Sequence, residues 1–212
     1  MNCLICGTPY QSKATWSKLF LYELDSSTCG RCYEKFDISK LTNDFTDFLG
    51  TPYEGAVDSV FCLYTYNEPM KEYLHQYKFL QDVALAKVFA GKLQQAFQRK
   101  EGIVVPIPMH PEKLKLRTFS QVDELLKAAR IPFQQLLTKT TSDSQGKKTK
   151  IERLKTTNLF EVVSTIEAAN YILFDDIYTT GATIHHAAKI LKDAGAKRVD
   201  AITLIKGYLA DK

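Results

Sequence analysis

Apolar positions along the chain follow two rhythms, and their order predicts the architecture. Residues 57–66, 103–107, 171–174 and 198–205 are short runs rich in Val, Ile, Leu and aromatic residues, as expected of strands. The last two are nearly continuous in apolar character, which suits strands covered on both faces of a parallel sheet. Residues 133–138 and 160–163 read as two shorter strands. Between them the rhythm changes to helical spacing. Met70, Tyr73, Leu74 and Tyr77 mark one face of a helix over 68–79, with Pro69 in its first turn. Leu85, Val88, Phe89, Leu93 and Phe97 line one side of a second helix over 82–99. Phe119, Val122, Leu125, Leu126 and Ala129 mark a third, starting near Thr118. A fourth begins at Ala182 and closes at Gly195.

Alternating strands and helices imply an α/β domain on a parallel sheet. Gly50, Pro52 and Gly55 break the pattern ahead of it. The predicted organisation is a small module at 1–36, a linker at 37–54 and the larger domain at 55–212. The 212 residues, 45% hydrophobic and 25% charged, suffice for one sizeable core plus that appendage. No run reaches the roughly 18 apolar residues of a membrane span, and the first residues lack the pattern of a secretory signal, so a cytoplasmic setting is expected.

The formal net charge of +4 is unevenly spread. From His110 to Lys155 there are eleven Lys or Arg and five acids, so this segment carries +6 and the remainder −2. A polyanionic partner, diphosphate or nucleic acid, would suit it, and so would a solvated surface. Residues 139–150 (KTTSDSQGKKTK) have no apolar anchor and read as a loop able to close on a ligand, with Lys147, Lys148 and Lys150 free to meet phosphates.

Cys3, Cys6, Cys29 and Cys32 form two CxxC pairs. That spacing is typical of a four-thiolate structural zinc site with no place left for a catalytic water. Disulfides are the alternative use. Between the pairs, Trp16, Phe20 and Tyr22 could pack as a small hairpin or stack on single-stranded bases. Cys62 reads as a buried apolar residue in a strand rather than a fifth ligand.

The densest chemistry lies in YILFDDIYTTGAT, Tyr171 to Thr183. A strand ends in two acids, and a Thr-rich turn with Gly181 opens a helix. Such a turn, at the carboxyl end of a strand, offers backbone N–H groups to an anion, with hydroxyls from Thr179, Thr180 and Thr183. Asp175 and Asp176 would repel a phosphate but suit sugar hydroxyls or water on Mg²⁺. His185 and His186 follow on the helix, about 100° apart, so they cannot both serve one atom, and neither is assigned a catalytic role.

This stretch resembles the ligand motif of type I phosphoribosyltransferases, which bind 5-phosphoribosyl 1-diphosphate (PRPP). The resemblance implies that Asp175 and Asp176 hold the ribose hydroxyls and that Thr179, Thr180, Gly181, Ala182 and Thr183 wrap the 5′-phosphate. It also implies a parallel-sheet, type I phosphoribosyltransferase-like α/β fold. The whole chain resembles the ComF family of bacterial competence proteins. The resemblance runs through the four cysteines, the Tyr77–Lys78 pair, VPIPMHPEKLKLRTFSQ from Val105 to Gln121, Gln145 with Glu152, Arg153 and Asn158, and the central motif. It implies that Lys78, His110 and Arg117 belong to the ligand site, with Mg²⁺ accompanying PRPP.

Two positions depart from the family pattern: Thr118 stands for Gly and Ser120 for Asn. A Thr resists the positive φ that Gly permits, so the backbone turn at 118 is expected to be altered. Three functions follow from the resemblance. One is an accessory factor in natural transformation that binds PRPP and handles single-stranded DNA, alongside a ComFA-like DNA-translocating ATPase and other single-strand-handling proteins. The second is an active phosphoribosyltransferase using a nitrogen acceptor; Thr179, where purine-salvage members often carry a carboxylate, weakens purine salvage. The third is a PRPP-responsive regulator.

Overall fold

A computed structural model describes residues 1–11, 27–40, 45–140 and 159–207. The predicted hairpin around Trp16, Phe20 and Tyr22, the lysines 147, 148 and 150, and the stretch from Gln145 to Asn158 lie outside the described residues. Helix α1 (Gly30–Tyr33) belongs to the cysteine module. It is followed by a 3-10 turn (Thr46–Phe48), β1 (Ser59–Thr65), α2 (Glu68–Lys78), a second 3-10 segment (Val83–Val88), α3 (Ala90–Gln98) and β2 (Ile103–Pro106). The chain continues through α4 (Pro111–Arg117), α5 (Gln121–Ala128), β3 (Leu137–Lys139), β4 (Phe160–Val162), β5 (Asn170–Tyr178), α6 (Ala182–Asp193) and β6 (Arg198–Lys206).

The sheet has four strands in the order β1-β6-β5-β2, every pair parallel, and β3 and β4 form a separate antiparallel pair. Strand alternation sorts β5 between two cores. Ile172 and Phe174 pack with α2, α3 and α5 on one face, while Tyr171 and Leu173 pack with α6 and the β3–β4 pair on the other. Burial on both faces is why the run is apolar at successive positions rather than at alternate ones.

Three elements differ from the pattern. The predicted helix over 82–99 is a 3-10 segment and a separate α3 that meet at Phe89 (φ −105°, ψ 3°). There Phe89 is fully buried, with ring centroids 4.9 Å from each of Phe36, Tyr64 and Tyr73. Both helix types keep residues three apart on one side, so the spacing of apolar residues could not reveal the break. The predicted basic turn at 112–117 is helix α4, which has no buried residue and so no apolar stripe to announce it. The helix expected from Thr118 starts at Gln121, where Ser120 Oγ accepts from the Asp123 N–H at 3.4 Å.

The cysteine module is tied to the sheet edge. Phe36 is buried in the core beside Tyr64, Tyr73 and Phe89. The Tyr33 and Tyr64 hydroxyls are hydrogen-bonded, and Thr65 N–H donates to Asp37 O at 2.8 Å. Asn67 caps α2 by accepting from Met70 N–H at 3.0 Å, and its amide donates to Lys35 O at 2.8 Å.

Candidate functional site

Strand β5 runs through Tyr178, so Asp175 and Asp176 are strand residues rather than part of the loop. Neighbours on a strand point to opposite faces, and this splits the pair. Asp176, on the side of Ile172 and Phe174, is buried and ion-paired with Lys78, the last residue of α2. Asp175, on the side of Tyr171 and Leu173, is partly exposed and accepts from the Asp176 N–H at 2.8 Å. Burial, then the neighbouring Asp176 charge, pushes the Asp175 carboxyl up to about 7, although Lys78 and Lys139 pull the other way. The sequence pattern assigned Lys139 to a loop; it is the last residue of β3, its ammonium 5.6 Å from the Phe160 ring centroid. Burial lowers its own proton affinity, the Lys113 charge adds to that, and Asp175 opposes it. Lys139 is a cation whose charge reaches Asp175 and which sequence reasoning missed, because nothing local connects it to a carboxylate 36 positions away.

The loop Thr179–Gly181 joins β5 to α6. Gly181, the helix N-cap, has φ 78°, and a Cβ there would lie 2.2 Å from the Tyr178 hydroxyl and 2.5 Å from its Cζ. Only glycine fits that backbone and that gap. Thr180 is buried, and its Oγ1 accepts from the Ala182 N–H at 3.3 Å, while Thr179 and Thr183 remain partly exposed. The first-turn N–H groups of α6 have no acceptors within the helix, giving this end a partial positive charge.

The β2 loop lies beside this edge, since Ile107 N–H donates to Phe174 O at 2.8 Å. His110 follows as N-cap of α4, its Nδ1 accepting from the Glu112 N–H at 3.2 Å. Thr118 ends α4 at φ 60° and ψ −21°. The left-handed turn therefore persists without glycine, contrary to expectation. Thr118 Oγ1 donates to Gln81 Oε1 at 3.1 Å, and Gln81 is itself at φ 58°. Arg117 donates to Gln121 Oε1 at 3.2 Å, and the Gln121 carbonyl accepts from the Tyr77 hydroxyl at 2.7 Å. Arg117 is thereby linked through Gln121 and Tyr77 to Lys78 and Asp176. Gln121 Nε2 is buried without a partner among the described residues.

The four module cysteines converge, with all four Sγ atoms within 4.8 Å of one another. Cys6 Sγ and Cys29 Sγ are 3.9 Å apart. A tetrahedral Zn–S bond of about 2.3 Å requires sulfurs about 3.8 Å apart, so the donor set fits a structural zinc. None of the cysteines is in a disulfide. Gly7 (φ 70°) closes the first knuckle by donating to Cys3 O at 2.8 Å, and Cys29 is the N-cap of α1. Cys62 is buried in β1 beneath Thr203, whose hydroxyl donates to its Sγ at 3.0 Å.

Both histidines of α6 are buried and serve packing. His186 Nδ1 is 3.1 Å from the Tyr53 hydroxyl. His185 stacks on Phe48 at 3.4 Å between centroids. Burial lowers its pKa to about 4, so it is neutral at physiological pH. Among the described residues no helix is long and apolar enough to cross a membrane.

The molecule is a parallel-sheet α/β protein with acids and a Thr-Thr-Gly loop at the carboxyl edge and a four-cysteine zinc-type module ahead of the sheet. No family model matches the chain. It is 35% identical over 220 residues to competence protein ComFC of Streptococcus pneumoniae, covering 97% of this chain and 100% of that protein. It is 33% identical over 228 residues to competence protein ComFC of Bacillus subtilis, covering 96% of this chain and 94% of that protein. The chain belongs to the ComFC family of competence proteins. Among solved structures it is similar to the allosteric regulatory enzyme of purine biosynthesis (TM-score 0.36, 18% identity, 56% of this chain and 25% of that chain). It is also similar to a hypoxanthine phosphoribosyltransferase from Staphylococcus aureus (TM-score 0.33, 14% identity, 61% of this chain and 73% of that chain).

Proposed function

We propose that this chain binds PRPP with Mg²⁺ at the carboxyl edge of β5 and acts in the cytoplasm as an accessory factor in natural transformation. In that role it aids DNA uptake and handles incoming single-stranded DNA alongside a ComFA-like DNA-translocating ATPase. Family membership supports the competence role. The ligand reading is carried by one juxtaposition: two acids on adjacent strand positions, followed within three residues by a glycine-dependent turn into a helix N-terminus. Asp175 and Asp176 would take the ribose hydroxyls. Thr179, Thr180, Gly181, Ala182 and Thr183 would take the 5′-phosphate, and Lys78, His110 and Arg117 the diphosphate.

The raised proton affinity of Asp175 supports this assignment. It arises first from burial and then from the Asp176 charge, and hydroxyl donors or a divalent cation at the carboxylate would offset both. Mg²⁺ would neutralise charge on the diphosphate. Residues 1–36, holding zinc through Cys3, Cys6, Cys29 and Cys32, would be a metal-folded module joined by 37–54 to the ligand domain at 55–212. Calorimetric titration of the zinc-loaded protein with PRPP and Mg²⁺ is expected to saturate, and the Asp175→Ala/Asp176→Ala variant is expected not to. Absence of binding to folded wild type would overturn the ligand assignment. Fluorescence anisotropy with single-stranded and duplex oligonucleotides tests the DNA role; equal affinity for both would contradict single-strand handling.

A further inference from the structure

A second surface lies beside the ligand edge. The turn after α2 exposes Phe79 and Leu80, each 65% accessible, and Val83 follows at 40%. Against that turn lies α4, which exposes Leu116 at 77% and Leu114 at 41% and buries none of its residues. The two pieces are held together. Gln81 Nε2 donates to Leu116 O at 3.3 Å, Thr118 Oγ1 donates to Gln81 Oε1 at 3.1 Å, and the Arg117 guanidinium carbon sits 5.7 Å from the Phe79 ring centroid. Gln81 and Thr118, the residues that stitch the surface, both occupy left-handed backbone at φ 58° and 60° without being glycine. Such strain persists only where surrounding contacts over-determine it, and it favours a preformed surface over a loose loop.

Phe79, Leu80, Val83 and Leu116 put four exposed large apolar side chains on this ledge, while Leu114, two positions from Leu116 on the helix, points away from it; such a group marks an interaction site rather than scattered exposure. We propose that this ledge docks another protein through an apolar segment flanked by acidic residues. Charge selects that occupant. Lys113 lies one helical turn before Leu116 on α4 with Lys115 next to it, and no ion pair engages either lysine among the described residues. Acids on the partner would meet these cations while its apolar residues cover the leucines. A second copy of this chain would bring the same cations face to face. Three aliphatic residues and one phenylalanine are a poor stack for nucleobases, which need aromatic faces. The ledge is a protein surface.

The test places the photo-crosslinking residue p-benzoylphenylalanine at Leu116, and separately at Leu80, in the full-length chain in its native cell, with crosslinked segments read by mass spectrometry. The expected product joins both positions to one partner segment of apolar residues bordered by Asp or Glu. A synthetic peptide of that segment should lose at least tenfold in affinity for zinc-loaded Leu116→Glu, with the melting temperature unchanged and PRPP titration as in wild type. A further variant, Leu116→Ser, guards against folding effects of the new charge and should weaken the peptide in the same direction. Crosslinks to DNA, to a second copy of this chain, to a segment without acids, or to nothing would each overturn the proposal, as would wild-type peptide affinity in both variants.

Discussion

Asp175 makes the ligand edge costly to fold, and the cost has a sign and a pH window. Its carboxyl rises from an ordinary 3.8 to about 7 in the folded protein. Below about pH 4 the group is protonated in both states and contributes no difference. Between about pH 4 and 7 the unfolded chain ionises it while the folded protein keeps the proton, so stability falls as pH rises through that window; above about 7 the loss is complete. A rise of roughly three pH units corresponds to about 4 kcal/mol as an upper bound. Partial exposure and screening reduce this to about 1–2 kcal/mol. Asp175→Asn removes the charge while its amide oxygen can still accept from the Asp176 N–H. The variant's advantage over wild type should therefore be smaller at pH 4.5 than at pH 8, where it reaches about 1–2 kcal/mol. Urea unfolding of both zinc-loaded proteins across pH 4.5–8 measures the difference, in which the shared pH dependence of the thiolates cancels. A difference that stays flat with pH, or a wild type more stable than the variant at pH 8, would refute the account. The same substitution should abolish PRPP binding, so that gain of stability and loss of ligand coincide in one residue.

Gly181→Ala combines a left-handed backbone with a Cβ 2.2 Å from the Tyr178 hydroxyl. It should cost about 2–4 kcal/mol in urea unfolding, and a loss under about 0.5 kcal/mol would show that the Tyr178 ring yields freely. Thr118→Gly relieves a φ of 60° and should stabilise by about 0.5–1 kcal/mol relative to wild type, read by the same melt. Chelation of the zinc-loaded protein should unfold the module and shift the fluorescence of Trp16, the chain's single tryptophan; an unchanged spectrum would separate the module's fold from its metal. His185 has its pKa lowered to about 4, so its stabilising effect is present above about pH 6.5 and is lost as pH falls toward 4. His185→Phe should keep the stack on Phe48 and flatten that acid limb in a thermal melt series.

The sequence by itself determined the parts whose signals are local. The strand of Tyr171–Phe174, the Thr-Thr-Gly turn with its glycine, the helix that follows, and the paired cysteines are all set by period, turn chemistry and spacing within a dozen or so residues. The tertiary structure decided what those parts face. Asp175 and Asp176 are adjacent in the chain, yet strand alternation sends one toward Lys139 and the other onto Lys78, so two similar carboxylates acquire different surroundings. The break at Phe89 exists because an aromatic cluster drawn from four segments admits that ring there, a demand no local pattern carries. Helix α4 was invisible because it buries nothing, and periodicity reports only faces turned toward a core. Thr118 keeps a glycine-like turn because Gln81, 37 positions earlier, offers it a hydrogen bond. Local preference sets the elements; contacts between residues distant in sequence settle charge, strain and exposure at the site.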